Sequence, residues 1–399
     1  MKVAIYACLF LGVSSFAFAC DEKPTTVDAV YQCLLEKHPS LQSLKYRGAE
    51  SDARLKAAGQ IPNPELEAKS LLSGEKETEI ELLQPIEIGG RRSARKDQAQ
   101  AEINSALVRD SIRTGEIAHQ AAEGLTRLRQ VVQGLTLLNE ARASLTSITK
   151  RLQLKRAMTP EDRIALGLFR LFESTIVQKI GLNEAERDSL LSLIESASGR
   201  SLSAINWMNE QRRSKWPSLS VPSENATMSV RAAEAELSLA HADMAQASGQ
   251  AWPDFRIGPS FKQLNETQEN SLGLKVSMTL PLWNLNGGGR AFAQSKAQQA
   301  EADLNAAKRF ERSTLASLKV TYEKATIALE SAPKPGSLNK LVSESEKQFA
   351  RGLIQPNALV EIYRSSLESL ETTNETELQA LKAYYQHESA LGLLPKEIL

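Results

Sequence analysis

Few residues in these 399 could carry chemistry, and the most regular set is acidic. Glu65, Glu67, Glu77, Glu79 and Glu81 occupy alternate positions on two short segments. Successive side chains of a strand point to opposite faces, so alternation would gather these carboxylates into one stripe. Repeated around a pore, such a stripe makes rings of negative charge that favour cations. The plainer reading is a solvated strand face, and Lys69, Arg256, Lys262 and Lys275 would dilute its field. The remaining candidates are weaker. His38, His119, His241 and His387 are scattered, none with a metal-ligand partner at helical spacing. Asn286-Gly287-Gly288-Gly289-Arg290 lacks the Gly-Lys-Ser/Thr ending of a phosphate loop, and reads as a flexible strand-to-helix joint. No Gly-x-Ser-x-Gly sequence occurs. Nothing here calls for an enzyme, a metal or a cofactor.

The elements that would position the stripe are short strands set between long helices. A helix from Thr26 to His38 is followed by a second from Ser40 to Gln60, ended by Ile61-Pro62-Asn63-Pro64. Glu65 to Leu72 and Glu77 to Ile86 alternate as strands do, joined through Ser73-Gly74. From Arg91 to about Ala157 nothing breaks the helical pattern. Leu125, Leu128, Val132, Leu135, Leu138, Leu145, Ile148 and Leu152 recur there at three- and four-residue steps, the spacing of a coiled-coil seam. The helix turns at Met158-Thr159-Pro160 and returns over 161–198. Gly199 to Glu224 is irregular. Another helix, 226–250, precedes strands at Asp254 to Gln263 and Ser271 to Trp283, with Leu264 to Asn270 as the loop between them. In the last strand Leu272, Leu274, Val276, Met278, Leu280 and Leu282 alternate with polar or small residues. A helix over 289–330 is interrupted by Ala332-Pro333-Lys334-Pro335-Gly336, resumes at Leu338, turns at Gly352-Leu353-Ile354-Gln355-Pro356 and returns over 357–393.

The chain therefore states one plan twice. Gln84-Pro85-Ile86 leads through Gly89-Gly90-Arg91 to Ala99-Gln100-Ala101-Glu102; Leu280-Pro281-Leu282 leads through Gly287-Gly288-Gly289-Arg290 to Gln298-Gln299-Ala300-Glu301. Arg91 and Arg290 are 199 residues apart, as are Glu102 and Glu301, whereas Pro64 and Pro253 are 189 apart. Residues 20–225 read as the first repeat (strands about 64–86, long helices 91–198) and 226–399 as the second (strands about 254–283, long helices 289–393). Residues 1–19 read as a secretory signal peptide: Lys2, an apolar run from Val3 to Val13, and Ala17-Phe18-Ala19 as the small-x-small cleavage pattern. Cys8 lies in that segment. Cys20, where a lipoprotein would be acylated, could equally form a disulfide with Cys33, and both readings stay open. Lysine plus arginine equal aspartate plus glutamate at 48 each, so no net field points to nucleic acid.

No downstream apolar run approaches a membrane-spanning helix, so any membrane role falls to the strands. The alternative is an ordinary hairpin packed on a helix. In lipid, only a closed barrel satisfies every backbone group, and four strands cannot close alone. Three copies would supply twelve. Leu272, Leu274, Val276, Met278 and Leu280 would then face lipid, with Leu66, Ala68, Ser70 and Leu72 a weaker lipid face in the first hairpin. Trp252 and Trp283 stand where an interfacial aromatic girdle would lie.

The doubled strand–Pro–Gly–Arg–helix junctions, at Pro85, Gly89, Gly90 and Arg91 and again at Pro281, Gly287, Gly288, Gly289 and Arg290, resemble those of the TolC-type outer-membrane efflux proteins. Gln84 to Arg95 is especially similar to the branch serving heavy-metal cation efflux. The resemblance implies a mainly α fold with a small β part, trimerising into a 12-stranded outer-membrane barrel on a periplasmic helical barrel. It implies a homotrimer in outer-membrane lipid that docks a periplasmic adaptor joined to an inner-membrane pump. It also implies that Lys155, Arg156, Ala157 and Met158, with Arg351, Gly352, Leu353 and Ile354, form the entrance tips that meet the adaptor, and that the irregular stretches form a belt. A polypeptide-secretion duct shares this fold, and a soluble coiled-coil scaffold is the reading of a different class.

Overall fold

The computed structural model describes residues 26–71, 77–203, 205, 206, 212, 213, 215–221, 227–264, 269–334, 336–395 and 398. The expected signal peptide, Cys20 and the first hairpin's Ser73-Gly74 turn lie outside the described residues. Helices α1 (Val27–Lys37), α2 (Pro39–Gln42) and α3 (Arg47–Ala58) lead to strands β1 (Glu65–Leu71) and β2 (Glu77–Ile86). Then come α4 (Arg91–Gln153), α5 (Pro160–Ser198) and α6 (Met228–Gly249), strands β3 (Phe255–Leu264) and β4 (Glu269–Met278), and α7 (Gly287–Glu330), α8 (Ser337–Ala350) and α9 (Pro356–Ala390).

Several boundaries differ from expectation, each for a local reason. The single helix expected over 40–60 is broken into α2, a 3-10 turn over Ser43–Tyr46, and α3. Ser43 Oγ donates to Ser40 O at 2.8 Å, drawing a carbonyl away from the regular ladder. Helix α4 stops at Gln153 rather than near Ala157, as Lys155 N turns back to Leu152 O at 3.3 Å in a tighter bond. Its 63 residues span roughly 95 Å at 1.5 Å each. Thr159 starts α5 with a reciprocal cap: its Oγ1 accepts from Asp162 N at 3.1 Å, and Asp162 Oδ2 accepts from Thr159 N at 3.1 Å.

Strand β4 runs from Glu269 to Met278, not from Ser271 to Trp283. Thr279 N still reaches Asp254 O at 3.0 Å, but Pro281 has no N–H and Leu282 N closes a local turn on Leu280 O at 2.9 Å. Leu280, expected on the lipid-facing strand, therefore lies beyond it. Gly287, Gly288 and Gly289 are likewise not a loose joint but the first turn of α7, entered through Asn286 in the left-handed conformation at φ 53°.

The four strands form one antiparallel sheet in the order β1-β2-β3-β4. Pairs such as Glu67 with Glu81, Glu79 with Lys262 and Gly258 with Lys275 fix the register. Gly258 is required by crowding: a Cβ there would lie 1.8 Å from Leu82 O. The helices carry the core. Leu125, Leu128, Leu135, Leu138, Leu145, Ile148 and Leu152 of the α4 seam are buried against α5, α9 and α1, with Val132 half-buried. Phe169, Ile176, Leu359 and Tyr363 fill the lower part of this core.

Candidate functional site

Register assigns the sheet two opposite chemistries. Leu66 and Ala68 of β1, Ile80 and Leu82 of β2, Phe255, Ile257 and Phe261 of β3, and Leu272, Leu274, Val276 and Met278 of β4 share one face. Glu65, Glu67, Lys69, Glu77, Glu79, Glu81, Arg256, Lys262 and Lys275 share the other. The apolar face is the open one: Leu272 is 82% exposed and Leu274 71%. On the charged face Glu81 is buried, while Glu65, Glu67 and Lys69 are exposed and Arg256, Lys262 and Lys275 half-exposed. A continuous apolar face left open is not what a sheet packed in water shows.

The expected acidic stripe exists as a shared face, but as a lattice of ion pairs. Arg256 lies 3.2 Å from Glu65 and 4.0 Å from Glu67. Lys262 pairs with Glu77 at 2.8 Å, and Lys275 with Glu81 at 2.5 Å. Lys69 stands directly across from Glu79. Four cations thus offset most of five carboxylates, and the field along this face is weak for its content of glutamate.

The junctions are held by arginines whose role sequence spacing did not disclose. Arg91 Nε donates to Gly249 O at 2.9 Å, at the end of α6, while its other nitrogens reach the Trp252 carbonyl and the Asp254 carboxylate. Arg92 donates to Gly59 O at 2.9 Å, and Arg95 to Ala58 O and Gln60 O at 2.8 and 2.9 Å, covering the carbonyl end of α3. Glu87 holds the Arg95 guanidinium in place and, by that hydrogen bond, raises its pKa. The signal available was the position of these arginines one to five residues after a glycine pair that must turn the chain. Gly89, at φ 69°, has no room for a side chain, as a Cβ would lie 2.1 Å from the Trp252 ring. In the second repeat Asn286 takes over, donating to Ala247 O at 2.9 Å, and Arg290 is exposed with no ion pair among the described residues. Pro85 sits in β2 across from Arg256, and Pro281 in the turn after β4. Trp252 and Trp283 are both exposed beside these junctions.

At the other end of the helices lie the two turns. Lys155, Arg156 and Ala157 are exposed and Met158 half-buried. Lys155 Nζ donates to Asp162 at 2.7 Å, and with Thr159 N it holds that carboxyl below its ordinary pKa. Arg351, Gly352 and Leu353 are exposed, and Gly352 takes the left-handed conformation at φ 74° that ends α8. Ile354 packs on the same core as Leu152 and Leu359, which puts both turns at one end of the bundle.

Between sheet and turns, the two irregular stretches meet. Arg212 donates to Pro333 O at 3.2 Å, Tyr322 OH to Pro217 O at 2.5 Å, and Ser220 N to the buried Glu388 at 3.0 Å. Tyr31 and Tyr384 meet Tyr385 edge-to-face nearby, and His119 meets it at a tilt, with ring centroids 5.8 to 6.4 Å apart. Burial raises the Tyr385 phenol far above its usual range and pushes that of Tyr31 up to about 12. Cys33 is buried on α1 and disulfide-bonded. Below this level Arg129 of α4 and Glu377 of α9 pair at 2.6 Å, both buried, with Gln130 donating to the same carboxylate at 2.7 Å. Among the described residues no helix is long and apolar enough to cross a membrane.

No family model matches the chain. The cobalt-zinc-cadmium resistance protein CzcC of Cupriavidus metallidurans is 23% identical over 298 residues, covering 70% of this chain and 68% of CzcC. A membrane protein from Pseudomonas aeruginosa superposes with a TM-score of 0.69 at 14% identity, covering 95% of this chain and 93% of the other. The open state of the MtrE outer-membrane channel of Neisseria gonorrhoeae gives 0.66 at 14% identity, covering 94% and 90%. These likenesses meet the resemblance carried by the doubled junctions: over nearly its whole length, the chain has the fold of the TolC-type outer-membrane channels.

Proposed function

We propose that this chain is the outer-membrane exit duct of a tripartite efflux system. The carrying observation is the divided sheet, with apolar residues exposed along one face and ion-paired charges along the other. Only lipid against the outer face and water within suit that arrangement. The edges of β1 and β4 have no partner strand among the described residues, and closing them requires further copies, since lipid tolerates no open edge. Three copies give twelve strands above a tunnel of helices. Each chain's two repeats, 20–225 and 226–399, then supply two strand pairs and two helical hairpins.

Transport through such a duct is passive, with energy supplied by an inner-membrane pump. The exposed turn residues Lys155, Arg156, Ala157, Arg351 and Leu353 are placed to meet a periplasmic adaptor, with Met158, Gly352 and Ile354 shaping the turns. Metal cations are the cargo that the similarity to CzcC favours. Deleting the gene in its host tests this: sensitivity to cobalt, zinc and cadmium should rise and return to normal on complementation. Unchanged metal tolerance together with loss of a secreted polypeptide would reassign the duct to protein export.

A further inference from the structure

Within one chain, the first repeat is fastened to the second by a clamp that has no counterpart leaving the second repeat. Arg91, at the start of α4, holds the Gly249 carbonyl that ends α6 and the Asp254 carboxylate that opens β3. The corresponding residue at the start of α7 is Arg290, which is exposed and makes no ion pair among the described residues. The groups that Arg91 grips also have counterparts. Gly59-Gln60 closes α3 as Gly249-Gln250 closes α6, and Pro64-Glu65 opens β1 as Pro253-Asp254 opens β3. Within the chain these sit at the far edge of the sheet from β4.

The helices repeat the pattern of open ends. Ile164, Leu171, Leu182 and Leu193 on α5 are all exposed, at steps of 7 and 11 residues that return to one helix face. On α7, Phe310, Val320 and Ile327 are exposed as well. Both edges of the molecule thus carry apolar rows; at one edge Arg290 has no ion pair among the described residues, and at the other Arg92 and Arg95 hold the α3 carbonyls while Glu65 lies 3.2 Å from Arg256 and stays partly exposed.

We infer that Arg290 of one copy reaches the start of β1 in the next copy and pairs with its Glu65 carboxylate, as Arg91 pairs with Asp254 within the chain. The occupant of this edge is a second copy of this protein. A head-to-tail contact of this kind closes into a ring when the rotation allows. Glu65 can serve, because its side chain remains 44% exposed beside Arg256, whose Nη1 lies 3.2 Å from Oε2. The inference rests on the trimeric reading above.

The test is a cross-link with an internal calibration. Full-length protein carrying Arg290→Cys and Glu65→Cys is treated in native membranes with a short bifunctional thiol reagent. Arg91→Cys with Asp254→Cys serves as the calibrating pair, expected to close within one chain. The double variant should yield covalent dimers and trimers several-fold above either single variant. If the calibrating pair closes and the protein still purifies as a trimer, but the Arg290/Glu65 pair stays uncoupled, the inference is overturned and the channel reading survives. A wild-type protein that is monomeric in the membrane removes both. Should the double variant fail to assemble, a benzophenone side chain at position 290 decides the matter. Adducts within residues 59–67 of another copy support the clamp, and adducts confined elsewhere overturn it.

Discussion

Arg91 shows how one side chain can tie three elements together. Its guanidinium satisfies a helix-end carbonyl, a turn carbonyl and a carboxylate at once, and is mostly sheltered from solvent. Arg91→Ala should lower unfolding stability by about 2 kcal/mol, since hydrogen bonds to charged groups contribute more than neutral ones. Arg91→Lys should recover less than half of that, because an ammonium cannot span the fork. The shift in the guanidinium midpoint of detergent-refolded protein measures both. A second residue effect concerns pH. Burial holds the His119 pKa below the ordinary imidazole value of about 6.5. The folded protein therefore resists a proton that the unfolded chain accepts, so stability falls as pH drops below about 6.5. His119→Gln should flatten that part of the pH–melting curve and leave the neutral region little changed. At this scale the sequence was partly legible. Alternation placed the five glutamates on one face with four cations to dilute them, but which cation meets which glutamate, Lys69 from the adjacent strand and Arg256, Lys262 and Lys275 from nearly 200 residues away, only the sheet register reveals. The arginine clamps were hidden for the same reason, as their acceptors are backbone carbonyls of distant helix ends.

The long amphipathic helices and both hairpins follow from periodicity and from proline and glycine punctuation, and β2 begins and ends where alternation places it. The misjudged end of β4 has a cause of its own. Apolar alternation from Leu272 to Leu282 continues past the last ladder bond, because exposed apolar residues are needed beyond the strand as well as within it. Hydrophobic pattern reports the surroundings, whereas strand length depends on a partner with free N–H groups, and Pro281 ends that supply. The faces give a direct prediction. Val276→Lys puts a charge on the apolar face at a cost of about 2–4 kcal/mol per copy near a bilayer midplane. It should sharply reduce the heat-modifiable outer-membrane form. Ser277→Lys, one residue along and on the charged face, should leave that form near wild-type abundance. Equal effects from the two variants would mean that the faces are not divided between lipid and water.

At the scale of the whole molecule, duplication is what the sequence announces most plainly. It also predicts the asymmetry: junctions repeat at 199 residues, while the strand entries repeat at 189. The structure locates the consequence at the junctions, where Arg91 clamps within the chain while in the second repeat Asn286 donates to Ala247 O and Arg290 stays exposed. What a single chain cannot express is closure. Among the described residues its sheet has two edges with no partner strand and its helical layer two exposed apolar rows, and the proposed ring of copies covers both. The central claim is therefore tested by the subunit count and location of the purified native protein. Native mass spectrometry of the protein extracted from isolated outer membranes should give three copies, dissociating to one on boiling. Recovery of a monomer from the soluble periplasmic fraction would contradict the account and favour a coiled-coil scaffold.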